Sequence, residues 1–189
     1  MSYNVYLLQP TPGEEPLATV RAKLNVETEV INPGPPNAEA EVRKQQLTRA
    51  LIDENPSLEP FEFGYGEIAR IDGISEEEAR VRYRHVELNG PENGTGIQIT
   101  LYDNDASITI PYWHEPDQAR LVFEEVWRYL RVLKDSGGFF AYDPQLDRVV
   151  DLNVDLPDVI REYGRIVAKI PEIIEQGKSQ LKRPWWKLW

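Results

Sequence analysis

The sequence contains no cysteine, and it has only two histidines in 189 residues. The first absence excludes disulfides, thiolate zinc sites, iron–sulfur clusters and thiol nucleophiles. No stretch approaches the roughly 20 apolar residues that a membrane span needs. The opening run, residues 3–8, is too short and too uncharged for a secretory signal. We therefore expect a cytoplasmic protein without a metal or another cofactor.

Positive charge is also in short supply, with 21 basic residues against 32 acidic ones and a net charge of −11. Nucleic-acid binding depends mainly on phosphate neutralisation, so this balance argues against a nucleic-acid partner. Two interpretations of the acidic excess stay open. It keeps the protein soluble, or it presents an acidic face to a basic protein partner.

The apolar periodicity predicts a single α+β domain over residues 1–181, followed by a tail, residues 182–189. Alternation of apolar and polar residues predicts strands, two pairs of which form hairpins. Helical spacing, an N-cap at Asn37 and a capping box from Ser75 to Glu78 predict helices, the longest of them near the C-terminal end. The predicted strands are 3–8, 61–65, 81–88, 97–101, 107–110, 139–143 and 148–152. The predicted helices begin near residues 16, 37, 75, 116 and 157, and residues 32–36 form a loop. Together they make one mainly antiparallel sheet with helices packed on it.

Proline and glycine set the ends of the clearest helix. Pro116 occupies its first turn, and an apolar stripe follows before residues 136–138 stop it. The stripe comprises Ala119, Val122, Phe123, Val126, Trp127, Leu130 and Leu133. In the last helix, Pro171 predicts a bend.

One candidate pocket lies at Tyr112, Trp113 and His114, where the second strand of a hairpin meets this helix. His114, helped by Glu115 or Asp143, has the chemistry of a general base. The alternative is a histidine at a helix cap beside two packed rings. There is no G-x-S-x-G elbow, and Ser179 with Lys182 lacks the companion motifs of an S-x-x-K enzyme, so no catalytic residue is assigned.

The segment 103–105 resembles a cation loop, but turn chemistry explains it better. A calcium loop of the EF-hand type needs glycine at its sixth position and glutamate at its twelfth. Ile108 and His114 stand there instead. Asp and Asn are the residues that a tight turn prefers, so no metal site is predicted.

The tail concentrates aromatic and basic residues. Three of the five tryptophans lie in residues 185–189. Such rings are costly to leave in water, so we expect them to pack against apolar surface. Three alternatives stay open: the protein's own surface, a groove on a partner chain, or the lipid headgroup zone. The anionic body is repelled by an anionic membrane, so a protein partner ranks above lipid. The predicted partner-binding residues are Arg183, Trp185, Trp186, Lys187 and Trp189.

Three segments resemble those of a family of small uncharacterised bacterial proteins. They are Ile108-Thr109-Ile110-Pro111-Tyr112-Trp113, Gly138-Phe139-Phe140-Ala141-Tyr142-Asp143-Pro144-Gln145 and the start Tyr3-Asn4-Val5-Tyr6-Leu7. Some proteins of this kind resemble immunity proteins that pair with secreted toxins. The resemblance implies no catalytic residues.

The leading hypothesis is a non-enzymatic, protein-binding bacterial protein of the immunity, inhibitor or regulatory type. One alternative is an enzyme with a pocket near Tyr112, Trp113 and His114. A second is peripheral membrane association through the tail. The oligomeric state and the partner's identity are open.

Overall fold

A computed structural model describes residues 2–24, 36–91 and 94–181, and within these ranges the chain forms six helices and a seven-stranded antiparallel sheet. The strands are β1 (Ser2–Leu8), β2 (Glu59–Pro60), β3 (Val86–Asn89), β4 (Gln98–Leu101), β5 (Asp105–Pro111), β6 (Phe140–Asp143) and β7 (Arg148–Val149). The helices are α1 (Pro16–Leu24), α2 (Ala38–Glu54), α3 (Tyr65–Asp72), α4 (Glu76–Arg82), α5 (Pro116–Gly137) and α6 (Leu156–Leu181). The predicted α+β class is confirmed.

The sheet has the order β2-β3-β4-β5-β1-β6-β7, so the N-terminal strand lies inside it. All seven residues of β1 pair with β5, from Ser2 opposite Pro111 to Leu8 opposite Asp105. The two edge strands are only two residues long, and Pro60 in β2 has no N–H to donate. Short edges and an edge proline hinder pairing with a foreign strand, so both edges are poor templates for strand addition.

The core forms where one face of the sheet meets the long helices. Tyr3, Val5 and Leu7 of β1 are buried, and the residues between them are partly exposed, as strand alternation requires. The predicted stripe of α5 is buried along its whole length and belongs to the same cluster. The indole Nε1 of Trp127 in that stripe donates to the Leu152 carbonyl at 3.0 Å, which satisfies the buried polar atom.

Helix α1 covers part of the opposite face of the sheet. Its Val20 packs with Leu8 and Tyr142 in a small separate cluster. Its Lys23 Nζ lies 2.6 Å from Asp105 Oδ1, beside the β4–β5 turn.

Most helix ends follow the predicted capping chemistry. The side chain of Asn37 accepts a hydrogen bond from Glu39 N, and that of Ser75 accepts one from Glu78 N. Gly138 has a φ of 68°, the left-handed conformation that ends α5. Helix α6 runs through Pro171 to Leu181, and the bend at Pro171 stays a prediction. The predicted loop at 32–36 falls, but for Pro36, outside the described residues.

The strand predicted at 148–152 ends at Val149. Two earlier strand predictions are also wrong in extent. Residues 61–65 do not form a strand: one further bond, from Phe61 N to Glu87 O at 2.8 Å, extends β2, and α3 then begins at Tyr65. The strand predicted at 81–88 begins only at Val86, because the helix capped by Ser75 continues to Arg82. At residues 61–65 and 81–85, the alternating pattern that predicts a strand belongs instead to the start or the end of a short helix.

Candidate partner-binding site

Trp113 and His114 contact the residues that lead into β4, whereas Tyr112 packs against α6. The His114 ring is buried, and its Nε2 lies 2.7 Å from the Thr95 carbonyl oxygen. The Trp113 indole is 67% exposed and covers Gly96, which has a φ of +63°. The Tyr112 ring stacks on Tyr163 of α6 at 5.5 Å. These contacts give each ring a packing role.

The two carboxylates considered as partners of His114 lie in different surroundings. Glu115 is exposed at the N-cap of α5, where its side chain makes no capping bond. Asp143 is fully buried, and it accepts hydrogen bonds from the Tyr3 hydroxyl and from the backbone N–H groups of Gln145 and Leu146. Burial raises the pKa of Asp143, and burial together with this hydrogen bond raises the pKa of Tyr3. Asp143 therefore secures the β6–β7 turn to β1.

The predicted partner-binding residues of the tail, Arg183, Trp185, Trp186, Lys187 and Trp189, lie outside the described residues. Helix α6 ends immediately before them, at Leu181.

A cluster of aromatic side chains, two of them exposed, lies elsewhere, at the end of the sheet where β3 begins and β4 ends. We call it the aromatic groove and define it by Phe61, Phe63, Tyr65, His85 and Tyr102. The first two follow β2, Tyr65 opens α3, His85 precedes β3, and Tyr102 follows β4. Antiparallel pairing of β2, β3 and β4 brings these three separate chain segments to one edge.

His85 is at the centre of the groove. Its ring centroid lies 4.8 Å from that of Phe63 and 5.4 Å from that of Tyr102, and Phe63 lies 5.0 Å from Phe61. The outer rings remain open to solvent, since Phe61 is 51% exposed and Tyr102 is 46% exposed.

Two surface clefts meet at His85. The larger, of about 500 Å³, is lined by the residues that follow β2, including Phe61 and Phe63, together with Arg80 and Val86. The smaller, of about 240 Å³, is lined by Tyr102 and the β4–β5 turn. Both clefts include Arg84 and His85 in their walls, so they are adjacent.

The arginines that line the groove all have carboxylate partners. Arg80 pairs with Glu76 at 2.6 Å, and its guanidinium lies over the Tyr65 ring at 4.5 Å. Arg82 lies 3.7 Å from Asp72. Arg84 binds Asp103 through two nitrogens, one of which, Nε, is 3.1 Å from Oδ2. Their charge is thus balanced locally, and the groove offers ring surface more than net charge.

A buried lysine supports the groove from below. The side chain of Lys44 in α2 is 1% exposed, and its Nζ donates to the Arg84 carbonyl at 2.8 Å and to Asp103 Oδ1 at 3.0 Å. Glu41 Oε1 lies 2.8 Å from the same nitrogen. Arg84 above all, and Lys44 as well, hold the pKa of Asp103 below its ordinary value. The segment 103–105, predicted as a turn, is therefore a turn fixed by ion pairs.

Burial lowers the pKa of His85, with the nearby Lys44 acting in the same direction and Glu87 opposing it. The imidazole is therefore neutral at pH 7 and acts as one more aromatic ring of the groove. Among the described residues, no group of three or more His, Asp or Glu side chains is placed to hold a metal ion. None of the helices in the described ranges combines the length and the hydropathy of a membrane span.

The fold and this groove define an α+β protein built on a seven-stranded antiparallel sheet with an aromatic depression at one edge. No family model, curated protein or solved structure matches the chain. Sequence reasoning missed the groove because its members look unremarkable one by one. The usable signal was three aromatic residues at 61, 63 and 65 in the least regular part of the chain, since irregular aromatic segments often lie on a surface with a role.

Proposed function

We propose that the protein is a non-enzymatic binding protein whose aromatic groove receives a segment of a partner protein. The observation that carries this proposal is the exposure of Phe61 and Tyr102 on either side of His85, with clefts beneath them. Large rings in a surface depression are costly to leave in water, and aromatic residues and arginine are enriched among the anchors of protein interfaces.

The shape of the site favours an extended segment over a compact ligand. The two clefts lie on either side of a shared wall that includes Arg84 and His85, and a segment crossing that wall would meet Phe61 and Phe63 in one cleft and Tyr102 in the other. The short edge β2 with Pro60 disfavours recognition by strand addition, so the side chains of the groove carry the binding.

An immunity or inhibitor protein of the bacterial cytosol is one concrete form of this function. The net charge of −11 would speed the approach of a basic partner, and the rings would hold it after contact. Such a complex forms faster at low salt, while its dissociation depends mainly on the rings.

The test is capture from a native lysate with the wild-type chain and with a double variant, Phe61→Ser with Tyr102→Ser. A matched control is Leu121→Ser, which also removes an exposed apolar side chain (69% exposed) but lies on α5. We expect one protein that wild type and control retain and the double variant loses. A protein retained equally by all three, and released by moderate salt, would place recognition on the acidic surface and refute the groove.

A further inference from the structure

The aromatic groove lies near one end of β5, and α6, the helix that leads to the tail, passes the other end. The groove adjoins the β4–β5 turn, which is one end of β5. Helix α6 passes the other end of β5, where the Tyr163 hydroxyl donates to the Pro111 carbonyl at 2.6 Å. Upstream of α6, the Leu152 carbonyl contacts Trp127 and Arg131 in the second half of α5, so α6 runs away from the groove.

Residues 182–189 are too few to span the distance from the end of α6 back to the groove of the same chain. From Tyr163, α6 continues to Leu181 over about 27 Å of helix, and a bend at Pro171 shortens this distance without reversing its direction. The strand β5 itself spans about 20 Å. The three tail tryptophans lie within eight residues of Leu181, and eight extended residues span at most about 28 Å. The distance from the end of α6 back to the groove, along α6 and β5, therefore exceeds the length of residues 182–189.

The chemistry of the tail complements that of the groove. Its tryptophans, with Pro184 and Leu188, supply the flat apolar surface that exposed rings accept. Because the tail contributes three positive charges and no negative one to a net charge of −11, residues 1–181 carry −14. A basic segment is attracted to such a body, and Glu62 in the larger cleft offers a carboxylate beside the rings.

We infer that the partner is a second copy of this chain, and that the tail of one copy, residues 182–189, binds in the aromatic groove of the next. This inference rests on the proposed function, since it names the occupant of the same groove. The contact is heterologous: it joins two different surfaces, so each copy keeps a free groove or a free tail for a further copy. Association should therefore rise with concentration and extend beyond a dimer unless a ring closes.

The experiment is complementation between two full-length variants, followed by sedimentation velocity and light scattering. One variant has a defective groove (Phe61→Ser with Tyr102→Ser), and the other has a defective tail (Trp185→Ser, Trp186→Ser and Trp189→Ser). We expect wild type and the Leu121→Ser control to self-associate and each defective variant alone to be monomeric. An equimolar mixture of the two defective variants should form a 1:1 complex, because one supplies the tail and the other the groove.

Several results would overturn the inference. A monomeric wild type at all concentrations, an unchanged oligomer for either defective variant, or no complex in the mixture would each do so. Circular dichroism and urea unfolding establish that both variants are folded, so that loss of association is not loss of structure. Tail-dependent sedimentation of a monomeric wild type with anionic vesicles would assign the tail to lipid instead. Groove-dependent capture of a different protein by a monomeric wild type would refute the second copy and leave the proposed function standing.

Discussion

Replacing Asp103 by asparagine should destabilise the fold far more than replacing the lysine that it pairs with. Asp103 lies between Lys44, which is 1% exposed, and Arg84, which is 9% exposed. Without its carboxylate, Lys44 and Arg84 still share Glu41, which is 39% exposed and lies 2.8 Å from Lys44 and 4.0 Å from Arg84. Removing one partner of a buried ion pair costs 3–5 kcal/mol in other proteins, and the remaining Glu41 places this case at about 3 kcal/mol.

Lys44→Met provides the comparison. Methionine keeps the apolar stem in place, and Asp103 keeps its three hydrogen bonds from Arg84. The loss is then mainly that of the hydrogen bonds from Nζ, or about 1 kcal/mol. The double variant should be more stable than Asp103→Asn alone, because it leaves one uncompensated cation fewer in the interior.

The assay is urea unfolding followed by circular dichroism and tryptophan fluorescence. Arg70→Gln is the control, since its pair with Glu67 is 3.6 Å long and about three-quarters exposed, and it should change stability by less than about 0.5 kcal/mol. The lowered pKa of Asp103 adds a pH signature: its contribution is complete above pH 3.8, is lost as pH falls through the lowered pKa, and is absent from Asp103→Asn. If Asp103→Asn costs no more than Lys44→Met, the account of uncompensated buried cations is wrong.

Three further predictions test other parts of the fold. Gly96→Ala should displace the Trp113 indole and cost about 1–2 kcal/mol of stability, because the added Cβ would lie 2.9 Å from Trp113 Cη2 and closer still to Trp113 Cζ2, on a residue with positive φ. Tryptophan fluorescence and urea unfolding measure these two effects. The free energy of unfolding of the wild type should fall as pH drops below 6.5 towards the lowered pKa of His85, because the unfolded chain binds the proton more readily there. His85→Phe should remove this pH dependence, which unfolding curves taken across this pH range measure. Tyr3→Phe should cost about 2 kcal/mol, because it removes a hydrogen bond to the buried Asp143 carboxylate; a change below about 0.5 kcal/mol would contradict that role.

Long elements could be predicted from the sequence because their periodicity repeats. The α5 stripe spans four turns, and every apolar position in it is buried. Strand β5 alternates between buried and partly exposed residues along its whole length, and turn residues separate it from β4. Such patterns average over many residues, so one unusual side chain does not change the outcome.

The short elements from residue 59 to 89 could not be predicted in the same way. Residues 61–65 carry an alternation that either a strand or the entry to a helix produces, and in the structure α3 begins directly after its N-cap, Gly64. Residues 81–85 follow the helix that Ser75 caps, and this helix overrides the local alternation. A few residues of pattern cannot outweigh the capping chemistry of a neighbouring segment.

The candidate site escaped prediction for a different reason, which is that it is made by sheet pairing. His85 and Tyr102 are neighbours only because β3 and β4 are paired with Val86 opposite Leu101. The one histidine that sequence reasoning favoured, His114, is instead buried against the Thr95 carbonyl. Adjacency in sequence drew attention to Tyr112, Trp113 and His114, whereas adjacency in space assembles the groove.

The ion pairs of Lys44, Arg84 and Asp103 stabilise the groove, whereas its exposed rings supply the binding surface, and experiments can separate these two roles. Lys44, Arg84 and Asp103 are buried or nearly so, and they fix the backbone that carries His85 and Tyr102. Phe61 and Tyr102 are half exposed, so their loss removes binding surface at little cost to the core. Substitutions in the network should therefore lower stability and binding together, while those at the rings should lower binding alone. That difference makes Phe61 and Tyr102, and not Asp103, the positions at which to test what the groove binds.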